Sequence, residues 1–177
     1  NIARRVAVRA SAFGVNVIYY DPYVTAGQFK DVPGEKVELE ELLSRADWVS
    51  VHTPLTEDTR HMVGSEFLSK MKPTAYLINA SRGPIVDTAA LVEALEAKRI
   101  AGAALDVIED CPPFPDDHPL KRFDNVIITP HAAWHSEEAL VGLHNGAPNE
   151  VKRVLKGEWP INVVNPEVRG KNRAGLE

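Results

Sequence analysis

The chain has 177 residues, enough for one domain with a real core, and carries 20 Lys plus Arg against 25 Asp plus Glu, a net charge of −5. The charges are interspersed rather than blocked, which argues against a nucleic-acid or anionic-membrane surface. The single cysteine, Cys111, excludes an internal disulfide, and no apolar run approaches the ~20 residues of a membrane helix, so a soluble cytoplasmic protein with no metal site is expected.

In chain order, Ile2, Val6, Ala10 and Phe13 recur at helical spacing from Ile2 to Phe13, and Gly14 closes the pattern as a C-terminal glycine. The chain thus opens at Asn1 inside a helix, and we expect polypeptide in front of it. Val15 to Tyr20 reads as a strand ending in Asp21-Pro22, where proline stops the ladder. A helix followed by a strand that ends in an acid is the second half of a dinucleotide-binding βαβ unit, whose acid accepts from ribose hydroxyls. Asp-Pro is equally an ordinary turn former. A preceding G-x-G-x-x-A turn would leave Ala3 in its third small-residue slot.

Val37 to Ala46 is an amphipathic helix with Leu39, Leu42 and Leu43 on one face. Asp47 to His52 reads as a strand ended by Thr53-Pro54, and Ser65 caps a short helix to Met71. The apolar run Ala75 to Ile78 is a buried strand, followed by Asn79-Ala80-Ser81-Arg82-Gly83 and a helix from Thr88 to Lys98. Gly102 to Val107 and Val126 to Thr129 are further strands, and Ser136 opens a long helix that Pro148 should kink or break. Pro112 to Pro119 is an extended surface loop. Each crossover is long enough for parallel pairing, so the expected fold class is α/β, a Rossmann-type doubly wound parallel sheet lacking its first strand.

Five motifs then fall just past the ends of separate strands: Asp21, Thr53-Pro54, Ser81-Arg82, Asp106 and Thr129-Pro130-His131. That edge of an open α/β sheet is where ligands bind. A guanidinium there offers a planar fork suited to a carboxylate, which makes Arg82 a candidate substrate anchor against the plainer alternative of a weak surface pair.

The stretches Y-D-P at Tyr20 to Pro22, V-H-T-P-L-T at Val51 to Thr56, N-A-S-R-G at Asn79 to Gly83, A-L-D-V at Ala104 to Val107 and T-P-H-A-A-W at Thr129 to Trp134 resemble the D-isomer-specific 2-hydroxyacid dehydrogenases. They run in that family's order over nearly the whole chain, nearest the branch of the C-terminal-binding protein corepressors and phosphoglycerate dehydrogenase. The resemblance implies NAD as cofactor, a small 2-oxo or 2-hydroxy acid as substrate, and a homodimer. It implies Arg82 and His131 as catalytic residues, the first holding the carboxylate and the second exchanging the C2 oxygen's proton. By the same resemblance Asn1 and Ile2 lie against the pyrophosphate and Asp21 binds ribose. Thr53, Pro54, Ala80, Ser81, Arg82, His131 and Ala133 line the cofactor, Asp106 accepts from its carboxamide, and Trp134 joins Arg82 and His131 around the substrate.

One departure stands out. The family pattern D-V-x-x-x-E-P has a glutamate paired with the catalytic histidine, and here that position, five after Asp106, is Cys111. Glu109 is two residues early, a displacement of several ångströms at about 3.3 Å per residue, so it is not the replacement. Cys111 is therefore expected at the catalytic centre with reduced activity, and an NADH-sensing, corepressor-like scaffold is the alternative function. Residues 1–159 are expected to form the NAD-binding domain, with 160–177 returning to a substrate domain outside this chain. With a central strand missing, the chain is not expected to fold well alone.

Overall fold

The computed structural model describes residues 2–25, 28, 33–111 and 113–171. The chain forms two compact units, residues 1–133 and 134–177. In the first unit, helix α1 (Ile2–Ala12) ends as the glycine predicts. Gly14 takes φ +77°, its N–H bonds the Ser11 carbonyl and the Val15 N–H reaches back to Ala10, which satisfies the last carbonyls of the helix. Strand β1 (Ile18–Tyr19) pairs in parallel with β2 (Glu35–Lys36), a strand the sequence reading did not contain. Two polar residues carry no alternating pattern, so only the partner strand reveals β2.

Helix α2 (Leu39–Arg45) leads into β3 (Trp48–Val51), α3 (Ser65–Lys70), β4 (Tyr76–Asn79), α4 (Thr88–Glu96), β5 (Gly102–Leu105) and β6 (Val126–Ile128). Ser65 is the first helical residue of α3 rather than its cap; Gly64 holds the cap position, with no side-chain bond. Helix α4 begins at Asp87, whose carboxylate accepts from the Ala90 N–H at 3.0 Å, and buries Ala90, Leu91, Ala94 and Leu95 along one face. Strands β3 to β6 form a parallel sheet in chain order. Its inward positions, Val49, Val51, Leu77, Ala103 and Leu105, join Leu43, Phe67, Leu68, Leu91 and Leu95 from α2 to α4 in one core. Burying each large aliphatic side chain contributes about 1.5–3 kcal/mol. The alternate positions Trp48, Tyr76 and Ile127 are exposed.

The second unit contains α5 (Glu137–Leu155), opened by Ser136, whose hydroxyl accepts from the Ala139 N–H at 3.1 Å. The helix runs unbroken through Pro148, so of the expected kink or break the break does not occur. Proline costs the helix one N–H, and the bonds of the neighbouring turns carry it past that gap. Among the described residues no helix is long and apolar enough to cross a membrane.

Candidate active site

The register of the four-stranded sheet assembles the site. Val51, Asn79, Leu105 and Ile128 lie opposite one another across β3, β4, β5 and β6, and each is the last residue of its strand. The segment after each strand therefore leaves the sheet along one carboxyl edge: Thr53-Pro54, Ala80-Ser81-Arg82, Asp106, and Thr129-Pro130-His131. Alternate strands are about 10 Å apart, so the loops bearing Arg82 and His131 flank the one bearing Asp106. Asp21 comes after β1, which belongs to the separate two-stranded sheet; four of the five predicted strand ends share one sheet and the fifth does not.

Arg82 is exposed, and its Nη1 donates to the Ser81 carbonyl at 2.6 Å. No carboxylate pairs with it among the described residues, which leaves the fork open to an outside anion. The loop beneath it is tightly held. Ser81 Oγ donates to the Val51 carbonyl at 2.8 Å, tying the β4 end to the β3 end. A Cβ on Gly83 would sit 2.3 Å from the Ile108 carbonyl carbon and oxygen, so glycine is required where the Arg82 loop rests on the backbone beyond Asp106.

Asp106 is buried and holds the His131 loop. Its Oδ1 accepts from Thr129 Oγ1 at 2.5 Å and from the Ala132 N–H at 2.8 Å, and its Oδ2 accepts from the Ala133 N–H at 2.9 Å. The His131 N–H donates to the Asp106 carbonyl at 3.0 Å, and His131 itself takes φ +54°, a left-handed conformation that this clamp maintains against its steric cost. Burial pushes the Asp106 carboxyl up, but the Thr129, Ala133 and Ala132 hydrogen bonds and the His131 charge outweigh it, and the group lies below the ordinary carboxylate range. A carboxylate accepts about four hydrogen bonds, so one position remains for an external donor such as a carboxamide.

The histidine ring is exposed, while Cys111 packs at the margin of the core, and no hydrogen bond joins the two. Burial, with the charge of Asp110 added, pushes the Cys111 thiol up, so it is neutral at pH 7. Glu109 is engaged elsewhere: its Oε1 lies 2.7 Å from His61 Nε2 and 4.0 Å from Arg60, which agrees with leaving it out as the missing acid. Asp21 Oδ1 accepts from the Tyr23 N–H at 2.9 Å, the turn-forming role that Asp-Pro allows, and its other oxygen takes no donor among the described residues. Ile2 stands at the first position of α1, the end at which a helix dipole favours an anion. Asn1 lies outside the described residues. Trp134 is the first residue of the second unit and meets His135 edge-on at 5.4 Å.

Three roles escaped the sequence reading: the Asp106 clamp, the Ser81–Val51 tie and the part played by Asn79. Asn79 had a readable signal, since an Asx residue two positions before a loop N–H commonly bonds it. Ser81–Val51 had none, because it joins residues thirty positions apart.

A parallel sheet with its ligand edge so arranged defines a Rossmann-type dinucleotide-binding domain. Residues 1–133 match the family model for the D-isomer specific 2-hydroxyacid dehydrogenase, NAD binding domain, and the chain belongs to that family. It is 48% identical over 163 residues to a glyoxylate reductase of Thermofilum pendens, covering 92% of this chain and 48% of that protein. It is 44% identical to a D-3-phosphoglycerate dehydrogenase of Methanocaldococcus jannaschii, over 93% of this chain and 31% of that one. The crystal structure of a D-isomer specific 2-hydroxyacid dehydrogenase from Lactobacillus delbrueckii ssp. bulgaricus, in its NAD-complexed form, superposes with a TM-score of 0.84 at 35% identity, covering 93% of this chain and 53% of that one. The chain thus spans about half the length of the relatives it matches, or less. These relatives are reductases and dehydrogenases, and they lend the corepressor-like expectation no support.

Proposed function

We propose that this chain is the cofactor-binding part of an NAD-dependent D-2-hydroxyacid dehydrogenase, acting on a small 2-oxo or 2-hydroxy acid. The observation that carries the reading is the single register row Val51–Asn79–Leu105–Ile128, from which His131 and Arg82, with no acid partner among the described residues, leave the same sheet edge. Arg82 holds the substrate carboxylate through a bidentate pair. His131 gives or takes the proton of the C2 oxygen. Bound NAD supplies the hydride acceptor. Asp21 accepts from ribose through its free oxygen, Asp106 offers its remaining acceptor position to the carboxamide, and Ile2 presents its end of α1 to the pyrophosphate. Thr53, Pro54, Ala80, Ser81 and Ala133 flank the cofactor.

The same reading has residues 1–159 as the NAD-binding domain, a return to a substrate domain from residue 160, Trp134 as a determinant of substrate size, and a cytoplasmic homodimer. Steady-state kinetics of the full-length protein on a panel of 2-oxo acids test it. Lysine cannot reproduce the fork, so Arg82→Lys is expected to lower kcat/KM about 100-fold while the NADH dissociation constant stays within about twofold. Absence of turnover on every 2-oxo acid, or equal losses in catalysis and NADH affinity, would refute the assignment.

A further inference from the structure

Every core-facing neighbour in the row that ends the sheet is aliphatic except one. Val51 and Leu105 flank Asn79, with Ile128 beyond Leu105, and the Asn79 side chain is completely buried. A carboxamide at such a position adds little stability over an aliphatic residue of similar size, because its hydrogen bonds only offset its desolvation. Its use lies in what it holds. Asn79 Oδ1 accepts from the Ser81 N–H at 3.0 Å, and Nδ2 donates to the Arg82 carbonyl at 3.0 Å. That carbonyl also accepts from the Ile85 N–H at 3.3 Å, and the Asn79 carbonyl accepts from the Asp106 N–H at 2.9 Å. One side chain thus bridges the loop from the Ser81 N–H to the Arg82 carbonyl, while its own main chain ties the loop to the strand end that carries Asp106.

We propose that Asn79 is a positioning residue for Arg82: its buried carboxamide fixes the Ala80–Ser81 peptide and the peptide that follows the arginine's Cα, and so the direction from which the guanidinium meets the substrate carboxylate. This deepens the dehydrogenase reading and rests on it. The requirement is for a donor and an acceptor together. Aspartate would set a carboxylate oxygen, acceptor against acceptor, at the Arg82 carbonyl, and alanine would take from the Ser81 N–H its acceptor and leave the Arg82 carbonyl only the Ile85 N–H. Neither change removes the guanidinium itself.

The test is a double-mutant cycle in the full-length protein, with Asn79→Asp and Asn79→Ala each made in the wild-type and Arg82→Ala backgrounds. In the wild-type background each is expected to lower kcat/KM for a 2-oxo acid about 10- to 100-fold, chiefly through KM, with the NADH dissociation constant within about twofold as proof of a folded domain. In the Arg82→Ala background the same substitutions should change kcat/KM by less than about twofold. Equal losses in both backgrounds overturn the assignment alone, as does loss of NADH binding in both variants, which would make Asn79 a support of the whole domain. A wild-type protein that turns over no 2-oxo acid overturns the dehydrogenase reading, and this assignment with it.

Discussion

Three donors converge on the Asp106 carboxylate, which is only 8% exposed, and Asp106→Asn preserves its shape while disturbing that convergence. With the amide oxygen kept toward Thr129 and Ala132, Nδ2 faces the Ala133 N–H, donor against donor. A hydrogen bond to a charged acceptor contributes about 1.5–3 kcal/mol net and one to a neutral acceptor about 0.5–1.5, so losing one and weakening two costs about 3.5–6 kcal/mol. Ala132 and Ala133 are exposed, and water reaching their freed N–H groups holds the cost near the lower figure. Amide hydrogen exchange across residues 129–133 reads this directly. At about 1.4 kcal/mol per tenfold, exchange at Ala132 and Ala133 should be roughly 300-fold faster at pH 7 in the variant. Because the folded carboxyl is depressed, its stabilisation is fully present above the unfolded value near ~3.9 and is lost as pH falls through the lower folded value. The gap between wild type and variant should hold constant from pH 8 to 5 and close below about pH 4. Unchanged exchange at pH 7, or a gap undiminished at the acid end, would refute the clamp.

Gly83→Ala forces a Cβ to within 2.3 Å of the Ile108 carbonyl, and since only main-chain movement relieves the clash, a cost of about 2–3 kcal/mol and a Tm lower by roughly 5–10 °C are expected. A thermal scan with no shift would mean that the two loops do not meet. In the proposed ribose-binding role Asp21 would set a negative charge against the 2′-phosphate of NADPH, so NADH should bind at least about tenfold more tightly, and equal constants by fluorescence titration would remove Asp21 from the ribose. The neutral Cys111 thiol supplies no field to His131, whereas a carboxylate at contact raises a pKa by about 1–3 units. Cys111→Glu should therefore raise 2-oxo acid reduction at neutral pH and move the alkaline limb of the pH profile upward, and an unmoved limb would show that position 111 does not face the imidazole.

Local chemistry made much of the fold readable from the sequence. Gly14 announced the end of α1, Leu39, Leu42 and Leu43 marked the buried face of α2, and the apolar run ending at Ile78 announced β4, because these features depend on neighbours within one or two turns of chain. The positions of Arg82 and His131, each just past a strand end, were legible for the same reason. β2 was not legible, since its two polar residues become a strand only by pairing with β1. Pro148 gave a true local signal that the rest of α5 overrode, its neighbouring hydrogen bonds carrying the helix through.

What tertiary structure alone decided is how the candidate residues are held. The sequence by itself specified four of the side-chain groups at the carboxyl edge and misplaced Asp21; it could not specify that Asp106 grips three donors of the next loop, that Gly83 touches Ile108, or that Glu109 is taken by His61. Those partners lie 25 or so residues away or farther, and no periodicity carries distance of that kind. They meet because parallel strands of matched register bring every loop to one edge, where buried donors and acceptors must find partners in a neighbouring loop or leave polar groups unsatisfied in the core.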